Sequence, residues 1–235
     1  LPSFSQQKSS CSFHKSSYAK ASDNKSEIAK NISGFQTRPH PSTDKQLPAS
    51  GISDTIHVKH YNISLDTLNY TAKSIKGNAR LTIQSKQNGV NNISLWLLKL
   101  QVDSIKSGNQ NLSFSYNDTL IRISPGSPLN INDTIEITVY YQGVPKQDPT
   151  WGGFYFSGNF AFNLGVGFDA DPHTYGRIWF PCIDEFTDRA TYDFFITTPF
   201  TYKAFCNGLL QSETDNGNNT KTWHWKMNQP IPTYL

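Results

Sequence analysis

Six histidines, His14, His40, His57, His60, His173 and His224, are the side chains of this 235-residue chain best suited to metal or proton chemistry. A hydrolytic zinc site on one helix needs two His four residues apart, which share a face, and a Glu beside the first as base on zinc-bound water. None of the six stands in that arrangement, and no metal site is expected in this chain. His57 and His60 are three apart in a strand-like segment and are expected on opposite faces. His224 alternates with Trp223 and Trp225 and reads as a strand histidine with an ordinary partner. No Gly-x-Ser-x-Gly nucleophile elbow and no phosphate-binding glycine loop occur.

The cysteines are three, Cys11, Cys182 and Cys206, so at least one thiol is free or pairs between chains. Cys182 and Cys206 sit in apolar segments and read as small buried core residues. A disulfide between them would need a Cα separation that spacing alone cannot supply.

Composition places these residues on strands. The chain holds 15 Phe, 11 Tyr and 5 Trp, and β-branched and aromatic residues favour pleated surfaces over helices. Lys and Arg number 21 against 18 Asp and Glu, giving +3 with no arginine stripe, so nucleic-acid binding gains no support. No apolar run reaches the length of a membrane-spanning helix. Residues 1–52 are Ser- and Lys-rich and poor in large apolar groups, the composition of an irregular tail or linker. One short helix is expected over Ser22–Lys30, and Pro39, Pro41 and Pro48 keep the chain extended after it. The chain begins at Leu1 with no signal peptide, as a processed form would. Nine Asn-x-Ser/Thr triplets and a Ser/Thr/Asn-rich surface suit an exported protein, periplasmic or extracellular, although an Asn-rich strand protein also generates such triplets by chance.

From Ile56 onward the hydrophobic period is two. Tyr61, Ile63 and Leu65 alternate with polar residues, as do Ile75, Ala79, Leu81 and Ile83, then Leu112, Phe114 and Tyr116, then Ile135, Ile137, Val139 and Tyr141. Ile93–Val102 is apolar on both faces, as expected of a central strand. Turns are expected at Lys76-Gly77, Asn88-Gly89, Ser107-Gly108-Asn109, Pro125–Pro128 and Asp215-Asn216-Gly217, and Asn207-Gly208 suits a turn of positive φ. About 185 residues can bury roughly 70% of their unfolded surface. Residues 53–235 are therefore read as one all-β domain, a saddle-like or sandwich assembly of mostly antiparallel strands.

Five blocks in order resemble the N-terminal domain of the aminopeptidase N family of zinc metallopeptidases. They are HYNISLDTL, LWLLKLQVDSI, VYYQGV with WGGFYFSG, RIWFPCIDEFTDRATYDFFITTPFTYKAFCNGLLQSE, and TKTWHWKMNQPIPTYL. In the fourth block Trp179, Phe180, Pro181 and Cys182 supply apolar bulk and a stiff extended backbone. The resemblance implies that Asp184 and Glu185 fix the loop facing a catalytic domain; a solvated turn or cap is the ordinary alternative. Asn207 and Gly208 carry over as structural.

The same resemblance implies a non-catalytic domain that packs on its own catalytic domain, walls the cleft where peptides lose N-terminal residues, and needs no cofactor itself. Zinc belongs to the catalytic domain expected beyond Leu235, where the chain closes on the apolar IPTYL. Many family members anchor the substrate's amine with a Gln or Glu shortly before the Pro-Cys pair. Here that region is FNLGVGFDADPHTYGR, which departs from the pattern, and Asp169 or Asp171 are the candidate substitutes for substrate binding. The alternative for both is a Gly- and Asp-rich surface loop. A second reading of the whole is a self-contained glycan- or protein-binding module displaying Trp151, Tyr155, Trp223 and Trp225, and a third is a scaffolding relative lacking zinc.

Overall fold

The structure is a computed structural model that describes residues 51–235. The helix expected over Ser22–Lys30, residues 1–50 of the tail, Cys11, His14 and His40 lie outside the described residues. A 3-10 turn, Ile52–Asp54, leads into β1 (Ile56–Asn69) and β2 (Ser74–Ser85). There follow β3 (Ile93–Trp96), β4 (Gln101–Ser107), β5 (Gln110–Asn111), β6 (Phe114–Tyr116), β7 (Leu120–Ile123) and β8 (Thr134–Gly143). The hairpin β9 (Gly152–Ser157) and β10 (Phe160–Gly167) precedes a second 3-10 turn, Gly176–Ile178. β11 (Ala190–Pro199), β12 (Leu209–Asp215) and β13 (Thr220–Ile231) complete the chain.

Eight strands form one sheet in the order β12-β13-β11-β1-β2-β8-β4-β5, and β3-β7-β6 and β10-β9 form two smaller ones. Every pairing is antiparallel except β1 with β11. The fold is all-β, as the period of two requires. Tyr61, Ile63, Leu81, Ile83, Ile137 and Val139 of the large sheet share one core with Ile93, Leu95, Ile121 and Ile123 of the three-stranded sheet. Tyr61 is central: its ring stacks on Tyr192 at 5.1 Å and meets Phe180 edge-on at 5.6 Å. Its buried hydroxyl accepts the Ile183 N–H at 3.1 Å, so the polar tip is satisfied.

Four expectations are corrected. Ile93–Val102 is not one central strand; it is the crossing from the three-stranded sheet to the large one, turning at Lys99 with φ 55°. Leu95, Leu97 and Leu100 are buried there because the crossing runs inside, and the outer edge of β3 is covered by Trp96–Cys182 hydrogen bonds. Lys76-Gly77 is not a turn but mid-β2, where a Cβ on Gly77 would lie 2.0 Å from the Ser64 carbonyl oxygen. Close backbone approach, not positive φ, demands that glycine. The Leu112–Tyr116 alternation also breaks: Leu112 is buried outside any strand, and Phe114 is exposed.

The fourth correction concerns His57 and His60. The β1–β2 register slips between Val58 and His60, leaving Lys59 as the extra residue of a bulge. His57 then faces Gln84 and His60 faces Thr82, two residues apart on β2, so both imidazoles stand on the same, outer face.

Candidate functional site

Three carboxylates organise the part of the domain that holds the sequence-singled residues. The first is Asp184, whose side chain is 0% exposed. Its Oδ1 accepts the Gly176 N–H at 3.2 Å and the Thr233 hydroxyl at 2.8 Å. Its Oδ2 accepts the Arg177 N–H at 3.2 Å and the Arg177 guanidinium at 2.8 Å. A buried carboxylate survives only with this degree of pairing. Asp184 thereby ties the second 3-10 turn to the segment Thr233–Leu235.

Glu185 points the other way. Its two oxygens accept the N–H groups of Ile52, at 2.7 Å, and Ser53, at 3.2 Å. It thus caps the open N–H end of the first 3-10 turn. Between the two acidic residues and the core, Phe180 and Cys182 are fully buried, and Trp179 packs 4.6 Å from Phe180 with its indole N–H buried and without a partner among the described residues. Cys182 and Cys206 are free thiols, so no disulfide joins them. Burial raises both: Cys182 well above its ordinary value, with Asp184 adding to the effect, and Cys206 to about 12.

The third carboxylate, Asp148, was not singled out by the sequence reading. It is buried, and its oxygens accept the N–H groups of Thr150, Trp151 and Asp169, each at 3.0 Å. Burial pushes its carboxyl up, but the N–H donors of Trp151, Thr150, Asp169 and Ala170 outweigh that and hold it below the ordinary carboxylate value. The loop after β10 is built on it. Gly167 admits no side chain, since a Cβ there would lie 2.7 Å from Asp148 Oδ2. Trp151 and Phe168 pair across the junction at 5.3 Å.

This loop carries the two candidate amine-binding residues, and it treats them differently. Asp169 is exposed, yet its Oδ2 accepts the Thr150 hydroxyl at 2.9 Å. Asp171 is exposed, precedes a cis peptide bond to Pro172, and makes no side-chain hydrogen bond among the described residues. Gly208 adopts φ 97°, and a Cβ there would lie 2.0 Å from the Lys226 carbonyl oxygen, so a turn glycine is required. A signal for Asp148 was present in the Asp-Pro-Thr-Trp run, which is turn chemistry with a side chain able to accept N–H groups two and three residues on.

The aromatic set proposed for a binding module divides. Trp223 is buried and its indole donates to the Thr198 hydroxyl at 3.0 Å; Trp225 donates to the Ala204 carbonyl at 3.1 Å. Tyr155 stacks on Phe162 at 5.2 Å, which leaves Trp151 as the exposed member. Among the described residues, no group of three or more His, Cys, Asp and Glu could hold a metal ion, and no helix is long and apolar enough to cross a membrane.

Residues 57–235 match the family described as the peptidase M1 N-terminal domain, and the chain belongs to it. Among curated relatives, Leucine aminopeptidase 2 of Vanderwaltozyma polyspora is 23% identical over 204 residues, covering 84% of this chain and 30% of that protein. Transcription initiation factor TFIID subunit 2 of Danio rerio is 21% identical over 215 residues, 74% of this chain and 18% of that protein. An M1 zinc metallopeptidase structure from Deinococcus radiodurans superposes with TM-score 0.70 at 23% identity, covering 79% of this chain and 44% of that one. Native yeast LTA4 hydrolase superposes with TM-score 0.57 at 16% identity, covering 83% and 30%. This chain therefore spans less than half the length of each of these relatives.

Proposed function

We propose that this domain is the non-catalytic N-terminal part of a zinc-dependent aminopeptidase, packing on the catalytic domain and walling one side of the cleft that trims peptides. Zinc and the hydrolytic machinery belong to that other domain. The observation that carries the reading is an exposed apolar surface beside the Asp184 hub. Phe186 lies edge-on to Tyr234 at 5.4 Å, Leu235 is exposed, and the strand bearing Gly165 runs hard against the Tyr234 carbonyl. Phe168 and Trp151, at the base of the neighbouring hairpin, are exposed as well. Exposed apolar side chains gathered in one region suit burial against another surface.

Within that reading Asp171 is the better placed of the two loop carboxylates to meet a peptide's ammonium group, because Asp169 already serves Thr150. The Ser/Thr/Asn-rich surface also supports export, which fractionation of the native host would check. The test is to purify the native full-length protein and assay release of N-terminal residues from peptides. Activity that a chelator abolishes, and that the 235-residue chain lacks, supports the reading; a full-length protein without it overturns the reading. The match to Transcription initiation factor TFIID subunit 2 favours a second reading, a scaffolding family member, and that result would promote it.

A further inference from the structure

The outer face of the large sheet carries a cluster that neither reading uses. Parallel pairing sets His60 on β1 opposite Thr191 on β11, and antiparallel pairing sets Phe195 on β11 opposite His224 on β13. Asp193 stands between. Its Oδ2 lies 3.1 Å from His60 Nε2 and its Oδ1 lies 2.5 Å from His224 Nε2. His60 Nδ1 is 2.8 Å from the Thr191 hydroxyl, and that hydroxyl is 3.2 Å from the Lys59 carbonyl oxygen. The His224 ring stacks on Phe195 at 4.2 Å, which fixes its plane. Lys226 and Arg80 also act on His60, and the pair His57–Asp188, 2.6 Å apart, lies on the same face of β1.

Proton counting decides what this arrangement does. An ionised Asp193 only accepts, so His224, hydrogen-bonded to it, presents an Nε2–H, and His60 Nε2, 3.1 Å from the other oxygen, is favoured as the protonated nitrogen of the neutral ring. Neutral His60 then has a lone pair on Nδ1, which can receive the single hydroxyl hydrogen of Thr191 in place of the Lys59 carbonyl. When His60 takes a second proton, Nδ1 becomes a donor and Thr191 Oγ1 must accept. The displaced hydroxyl hydrogen has the Lys59 carbonyl waiting. The Nδ1–Thr191 contact is thus satisfied in both charge states with no movement beyond one hydroxyl rotation. A structural histidine needs only one such state. The bulge at Lys59 creates the device, since it turns His60 outward and aims the Lys59 carbonyl at Thr191.

We propose that His60, Thr191, Asp193 and His224 form an acid-responsive clip across β1, β11 and β13, in which the Thr191 hydroxyl reverses its hydrogen bond as His60 is protonated. The sense of the response follows from the surroundings. Burial lowers the His60 imidazole below its ordinary value; Asp193 opposes this, and Lys226 and Arg80 add to it. Protonating His60 therefore costs the folded domain stability as pH falls below about 6.5.

The test is an NMR titration of the imidazole signals of the 235-residue chain between pH 8 and pH 5, in wild type, Thr191→Val and Thr191→Ser. The clip requires the His60 midpoint to fall by about one pH unit in Thr191→Val, a tenfold loss of proton affinity, because Nδ1–H loses its acceptor. Thr191→Ser restores it. A Thr191→Val midpoint equal to wild type overturns the proposal, as does a loss that Ser fails to restore. The wild-type spectrum decides even where Thr191→Val folds poorly. Imidazole nitrogen shifts must show Nδ1 unprotonated at pH 8, and a proton on Nδ1 there overturns the hydroxyl reversal.

Discussion

Asp184 and Asp193 are both carboxylates that several groups converge on, and they differ in what holds them. Asp184 is sealed among an Arg guanidinium, a hydroxyl and two backbone N–H groups, partners whose charge is fixed across the physiological range. Asp193 lies on a half-open sheet face between two imidazoles, partners that become cationic only when they take a second proton. The first arrangement makes a permanent joint between the second 3-10 turn and residues 233–235. The second makes a joint whose strength follows pH. Burial depth and partner chemistry, not the carboxylate itself, separate an anchor from a sensor.

The largest effect expected from breaking this contrast is at the anchor. Asp184→Ala leaves Arg177 facing a buried gap and should cost about 3–5 kcal/mol, read as a lowered urea midpoint. Tyr61→Phe comes next. It keeps the stacking but strands the buried Ile183 N–H, and a loss of about 1–3 kcal/mol in the same measurement is expected.

The sensor should answer to pH where the anchor does not. His60 titrates lower in the folded chain than its ordinary 6.5. The stability that comes from keeping it neutral is therefore fully present above about pH 6.5 and is lost as pH falls toward the folded midpoint. Thermal melts of wild type should decline over that window, and His60→Asn should flatten the decline; an equal slope in both would remove His60 as its source. At the small end is the exposed pair Lys221–Glu213 on the β12–β13 hairpin. Lys221→Ala should change stability by about 1 kcal/mol or less, and increasing salt should shrink even that.

Much of the interior was legible. Tyr61, Ile63, Ala79, Leu81, Val139 and Tyr141 point inward as their alternation requires, because side chains on a strand change face at every residue. Asn207-Gly208 and Asp215-Asn216-Gly217 announced turns, and Gly208 and Gly217 hold positive φ. Less of the candidate site could be read. Asp184 and Glu185 are adjacent in sequence yet hold segments from opposite ends of the described chain, one binding Thr233 and the other Ile52 and Ser53. Nothing in a dipeptide reveals contacts separated by 49 and 133 residues. Asp148 escaped notice because its importance arises from the loop at Asp169, which only the fold brings beside it.

Local chemistry thus determined that this chain builds strands, which residues fill the core, and where the backbone must turn, since each depends on neighbours one to four residues away. Tertiary structure decided which strands pair, that Ile93–Val102 crosses between sheets, and that Gly77 exists for the passage of another strand. It also decided the side on which His57 and His60 stand. A single extra residue at Lys59 reverses the face of everything after it, and a bulge is settled by the partner strand's register rather than by the residues that form it.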